Sequence, residues 1–306
     1  MVEISIMVEG QDGLSWPRWQ RLVRATEDLG FDGLYRSDHF TNPQGPFLDA
    51  LELWTSFTWL ASNTTRIRFG AMVSPVSFRD PVLLAWQASG VDALAGGRLD
   101  IGLGAGWQER EHTSFGYDLL TVPQRFDRFG EALEVIRSLT RSSTPVSFNG
   151  DYYKLDNAML VPRSPQKDGP PITVGGTGPR RTLPLVAKFA DEWNFNNRSV
   201  EDYLALNVRL DELLDEQGRP RTAVRRTMAS ALSIGATDEE VSKKIGDSNK
   251  ADLIERGHFA GTPAEVTANL QRYVAHGVDG FKIRLLDLDD ISSLELLASD
   301  VLPHFR

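Results

Sequence analysis

The chain has 306 residues, 41% hydrophobic and 25% charged, a balance that supplies a large core and excludes disordered, collagen-like and mini-protein classes. Its 33 basic side chains stand against 42 acidic ones, a net charge of -9, and no lysine-rich run is present, which argues against a nucleic-acid partner. There is no cysteine, so disulfides, thiolate metal ligands and thiol nucleophiles are excluded. Met1 leads straight into Glu3–Val8 with neither a basic leader nor a long apolar run, and the expectation is a cytoplasmic protein without a membrane partner.

Short apolar runs begin near Glu3, Gly33, Arg66 and Arg98, a spacing of roughly thirty residues, the length of one βα unit. After the first run, Trp19, Leu22, Val23, Thr26 and Leu29 share one helical face, with Pro17 fit for the first turn and Gly30 for the cap. Strand Phe31–Arg36 follows, then a helix over about 48–61, strand Arg66–Val73, a helix after Pro81 ending at Gly96, and strand Arg98–Leu103. A polar stretch precedes an amphipathic helix over 124–139. Val146–Leu155, turning at Asn149 and Gly150, reads as a β-hairpin inserted at about 145–160. The alternation resumes with strand Ile172–Val174, helix Pro179–Ala190, strand Glu192–Phe195, helix Val200–Glu216 and a strand within 225–234. Residues 236–260 read as an irregular insertion, followed by helix Pro263–Ala275, strand Gly280–Leu285 and a terminal helix.

Eight strands alternating with helices admit an open doubly wound sheet or a closed barrel. An open dinucleotide sheet should carry a GxGxxG turn after its first strand, where Glu9, Gly10 and Gln11 stand instead. The expectation is therefore a single α/β domain over 1–306, a (β/α)8 TIM barrel with insertions. In such barrels the active site lies at the C-terminal strand ends. The residues there are Glu9; Ser37, Asp38 and His39; Met72 to Ser74; Gly104 to Trp107; Gly175 to Gly178; Asn194 to Asn197; and Arg284.

Ser37, Asp38 and His39 are consecutive, so their side chains point apart and cannot relay a proton as a hydrolase triad. His39 beside a carboxylate reads as a hydrogen-bonding or proton-transferring group, or else as a structural histidine with Asp38 capping the loop. Gly175-Gly176-Thr177-Gly178-Pro179-Arg180-Arg181 joins a strand to a helix, and glycines, free amides and arginines there suit a phosphate; the plain alternative is a tight turn with exposed arginines. His112, His258, His276 and His304 are scattered, and no metal site is read from them. Trp54 and Trp59 suit a helix core, whereas Trp107 follows a strand and suits a pocket wall. Lys282 could form a Schiff base as in barrel aldolases, but a strand lysine is ordinarily paired.

At these residues the sequence resembles the bacterial luciferase-like superfamily, in particular its coenzyme F420-dependent oxidoreductases. The blocks are SDHF at 37–40, RIRFGAMVSPVSFRDP at 66–81, GGRLDIGLGAGW at 96–107, NGDYYKL at 149–155 and PPITVGGTGPRRTLPLVAKFADEWN at 170–194. The resemblance implies a homodimeric barrel holding a deazaflavin at its mouth. It places Asp38 and His39 as catalytic groups beside the ring, Met72 and Val73 behind it across a cis peptide bond, and Ala105 and Gly106 near it. Gly175, Gly176, Thr177 and Gly178 match the phosphate and tail-binding turn, to which the reading of the residues themselves adds Arg180, with Glu9, Trp107 and Asn194 at the strand ends as the expected substrate pocket.

Relatives that oxidise glucose 6-phosphate carry a catalytic glutamate where this chain has Trp107, which argues against that activity. The expected reaction is hydride transfer between coenzyme F420 and a small, apolar organic substrate. The competing readings are an FMN-dependent monooxygenase with a partner reductase and a flavin-binding barrel without turnover.

Overall fold

The computed structural model describes residues 2–306. Strand β1 (Glu3–Val8), helix α1 (Trp16–Asp28), β2 (Gly33–Arg36), α2 (Leu53–Asn63), β3 (Arg68–Ala71), the two-residue β4 (Ser74–Pro75) and α3 (Pro81–Leu94) make the first units. Then come β5 (Leu99–Gly104), α4 (Glu109–Phe115), α5 (Val122–Arg141), the hairpin β6 (Val146–Asn149) and β7 (Lys154–Ala158), β8 (Ile172–Gly175) and α6 (Thr182–Phe189). The chain ends with β9 (Glu192–Asn196), α7 (Val200–Glu216), β10 (Arg225–Ile234), α8 (Asp238–Ile245), α9 (Lys250–Glu255), β11 (Phe259–Gly261), α10 (Pro263–Val274), β12 (Gly280–Arg284) and α11 (Ile291–Asp300).

Eight strands close in the parallel order β1-β2-β3-β5-β8-β9-β10-β12, and β12 pairs back onto β1 with Ile4 opposite Phe281. The expected (β/α)8 barrel is the fold observed. Among the described residues no helix is long and apolar enough to cross a membrane.

Strand alternation explains what each face does. Ile4, Ile6, Val8, Leu34, Phe69, Leu99, Ile101, Ile172, Val174, Trp193, Phe195, Phe281 and Ile283 join the helices in one continuous outer core. The intervening residues point inward, and apart from Met7 and Tyr35 they are small or polar: Ser5, Gly70, Asp100, Gly102, Thr173, Asn194, Thr227, Ala229 and Lys282. Small residues are required where β3 meets β5, because a Cβ on Gly102 would lie 1.8 Å from the Ala71 carbonyl oxygen.

The lower half of the interior is an ion cluster. Lys282 is fully buried, pairs with Glu3, lies 3.9 Å from Glu192 and sits 3.8 Å above the Tyr35 ring. Arg225 closes the cluster at 2.8 Å from Glu3 and 3.3 Å from Glu192, and Tyr35 donates to Asp100 at 2.6 Å. Lys282 is thus the paired strand lysine, fully buried and absent from the wall of the cavity at the mouth, and the Schiff-base reading is set aside. Burial opposes ionisation of Glu3, but Lys282 and Arg225 outweigh it and hold its carboxyl at about 2. Burial pushes the Glu192 carboxyl up.

Above the ions lies an apolar floor of Met7, Tyr35, Met72 and Ala229, with Val73 packed against it. The hairpin stands where expected and packs Val146, Phe148, Tyr153 and Leu155 against Val135 and Leu139 of α5. Its turn is tied down by Glu131, which accepts from the backbone N–H of Asp151, Tyr152 and Tyr153.

Two expectations are corrected. Residues 236–260 are not irregular but hold α8 and α9, capped by Thr237 and Asn249, before β11 extends the sheet edge at β10. In addition, α6 starts at Thr182 rather than Pro179, because Pro179, Arg180 and Arg181 form a turn first.

Candidate active site

A cavity of about 450 Å³ opens at the C-terminal strand ends above the floor. Met7, Met72, Val73 and Ala229 line its base. Glycines let the Val73 side chain stand in the middle of the barrel mouth: a Cβ on Gly104 would lie 2.7 Å from Val73 Cγ2, and one on Gly175 2.9 Å from Cγ1. The Met72–Val73 peptide bond is cis, as the resemblance implied.

Of the residues expected at the site, the cavity wall contains Glu9, His39, Met72, Val73, Ala105, Gly106, Trp107, Gly175, Gly176 and Asn194. Asp38 is outside it. Its buried carboxylate pairs with Arg79 and accepts from Ser74 Oγ at 2.6 Å, so it braces the loop and has no open side from which to act on a ligand. Thr177, Gly178 and Arg180 also stand outside the wall. Thr177 Oγ1 accepts from Arg198 at 3.0 Å, Gly178 caps the start of α6 through its carbonyl, and Arg180 is exposed on the turn.

His39 is the best-supported titratable group in the wall. Its Nδ1 is 2.8 Å from Glu111 Oε1, and its ring meets Trp107 edge-on with centroids 5.7 Å apart. Burial would lower the histidine's pKa, but the hydrogen bond and charge of Glu111, helped by Glu9 and Asp38, raise it above the ordinary value. Among the described residues Nε2 has no hydrogen-bond partner, which leaves that edge for a ligand. Across the mouth, Glu9 pairs with Arg284 at 3.2 Å, and Asn194 donates to Thr227 at 2.9 Å. Trp107 is 59% exposed, an apolar surface unusual for tryptophan unless something covers it. No three His, Cys, Asp or Glu side chains among the described residues converge to hold a metal ion.

The sequence reading missed Met7, Glu111, Phe126, Ala229 and Ser230, all in the wall. Met7 had a signal, since it is the inward-facing position one strand-step below Glu9, whereas Ala229 lies on β10, where nine successive residues are buried. Glu111 had none, because the helix that carries it buries Glu111 and His112 and so shows no apolar stripe.

The model of the luciferase-like monooxygenase family matches residues 4–276, and the chain belongs to that family. It is 28% identical over 245 residues to a 5,10-methylenetetrahydromethanopterin reductase of Archaeoglobus fulgidus, covering 80% of this chain and 67% of that protein. It is 27% identical over 281 residues to an F420-dependent glucose-6-phosphate dehydrogenase of Kineococcus radiotolerans, covering 90% and 77%. Among solved structures, an F420-dependent secondary alcohol dehydrogenase in complex with an F420-acetone adduct superposes with a TM-score of 0.86 at 20% identity, covering 100% of this chain and 99% of that one.

Proposed function

We propose that the protein is an oxidoreductase that uses coenzyme F420 to move a hydride to or from a small, apolar organic substrate. The observation that carries the reading is the glycine-bounded cavity with His39 in its wall, Nδ1 held and Nε2 open. The curated relatives named as F420-dependent enzymes and as a methylenetetrahydromethanopterin reductase select the coenzyme over FMN.

The residues present fit such a group. Met72 and Val73 offer an apolar backing, and Gly104 and Gly175, lacking a Cβ, make the room in which Val73 stands. The backbone N–H groups of Thr177, Gly178, Arg180 and Arg181 have no acceptor among the described residues, and the turn that carries them starts at cavity residues Gly175 and Gly176, so it suits an anionic tail. When bound, the coenzyme would give or take a hydride, which carries the two electrons, at one carbon of its ring. His39 gives or takes the accompanying proton through Nε2, and Trp107 and Phe126 provide the apolar wall that fits an uncharged substrate. By the resemblance, Trp107 stands where the glucose 6-phosphate enzymes carry a glutamate, so sugar phosphate oxidation is not expected. Titrating purified protein with coenzyme F420 and, separately, with FMN tests the reading: saturable binding of the deazaflavin is expected, and binding of FMN alone would reject it.

We also read the protein as a homodimer. Leu83, Trp86 and Leu94 on α3 are exposed, and Trp16 beside them lines a groove with Trp54, Trp59 and Val91 that a second copy would cover. Light scattering at micromolar concentration should give about twice the 34.1 kDa of one chain, and a monomeric mass would remove this reading.

A further inference from the structure

We propose that Glu111 is a positioning residue for the reaction: its buried carboxylate fixes the proton of His39 on Nδ1 and turns Nε2 toward the substrate. The inference rests on the cavity being the site of hydride transfer.

Glu111 is 1% exposed and anchored at both oxygens. Oε1 meets His39 Nδ1 at 2.8 Å, and Oε2 accepts from the backbone N–H of Phe40 at 3.1 Å. An ionised carboxylate only accepts, so the atom facing it must carry a proton and Nε2 becomes the exchangeable position. The helix behind Glu111 is itself fixed. His112 sits 2.6 Å from the Gln108 carbonyl through Nδ1 and 2.7 Å from Ser77 Oγ through Nε2, while the Gln108 amide nitrogen donates to the Thr41 carbonyl at 2.9 Å and lies 3.2 Å from His39 Nδ1, further off than Glu111. The charged groups facing the imidazole are Glu111 from α4, Glu9 from the end of β1 and Asp38 of its own loop. Glu9 is balanced by Arg284 and Asp38 by Arg79, so Glu111 is the carboxylate bonded to the ring that has no cation of its own.

The consequence for chemistry is directional. When a carbonyl carbon takes up a hydride, the π bond opens onto oxygen and that oxygen takes the Nε2 proton. A neutral imidazole remains, still bearing Nδ1–H against an unchanged Glu111 carboxylate. Oxidation of the alcohol runs the same transfers in reverse. Trp107 stands in the loop before α4, and Glu111, four residues further on and inside that helix, places negative charge behind the histidine.

The test is an NMR titration of His39 in cofactor-free protein, paired with the pH dependence of kcat. In Glu111→Gln the His39 pKa should fall by about one unit or more, the preference for the Nδ1–H form should weaken, and the alkaline limb of carbonyl reduction should move down in pH with it. KM should move much less than kcat, and Glu111→Asp should give an intermediate pKa, keeping the test valid if the Gln variant folds poorly. An unchanged His39 pKa and tautomer in the Gln and Asp variants overturns the proposal. The titration needs no coenzyme, so failure of the F420 reading would show in binding, whereas failure here would show in the histidine.

Discussion

In the His39→Asn enzyme kcat is expected to fall roughly 10²–10⁴-fold, the usual worth of a positioned proton donor. Asparagine approximates the reach of Nδ1 and can still hydrogen-bond Glu111, so α4 should stay in place and the apolar floor is untouched. Affinity for coenzyme F420 should change by less than about tenfold, the range of a single neutral hydrogen bond. The split can be read from the coenzyme's absorbance change with the substrate that the native protein turns over fastest, together with a fluorescence titration. Turnover within about tenfold of native would remove His39 from the proton path while leaving the barrel, cavity and coenzyme reading intact.

The second large effect lies at the other end of the barrel. Lys282→Met should cost about 3–5 kcal/mol at neutral pH, because it leaves Glu3 and Glu192 buried against each other with only Arg225 to balance them. The pH dependence has a sign. Glu3 sits at about 2 in the folded protein against an ordinary 4.5, so its stabilisation is complete above about 4.5 and fades as pH falls toward 2. Glu192 is shifted up by burial and acts in the opposite direction, favouring the fold in acid. In the variant both carboxyls gain from protonation, so the gap between native and variant should narrow between pH 7 and pH 4. Urea unfolding at the two pH values measures it, and a gap that stays constant would show that the lost lysine acted through packing alone.

These two expectations also mark what could be read in the amino-acid order. The barrel was legible because its outward strand positions are large and apolar and each strand is set off by a helix with a recognisable cap, as at Asp80-Pro81. The strand ends followed, and with them His39, Met72, Val73 and the glycine turns. What escaped notice shares one cause: polar or isolated burial leaves no periodic trace. Helix α4 turns Glu111 and His112 inward, and α8 buries Val241 alone, so both looked like loop. In β10 nine successive residues are buried, so nothing in the sequence marked Ser230 as the level of the mouth. The pairing of Asp38 was hidden for a different reason. Its partner Arg79 is 41 residues away, and only the closed barrel brings the two together.

The Met7-Tyr35-Met72-Ala229 layer has a further effect, that of an electrical partition. Tyr35 belongs to both sides: its ring packs in the apolar layer, while its hydroxyl bonds Asp100 and its lower face takes Lys282. The cavity therefore has an apolar layer beneath it and opens at the mouth, where His39 stands. Each compartment can in consequence change without retuning the other. Substitutions under the layer are felt as unfolding free energy, substitutions above it as turnover, and a lineage built on this frame can alter its substrate while its strongest buried charges stay where they are.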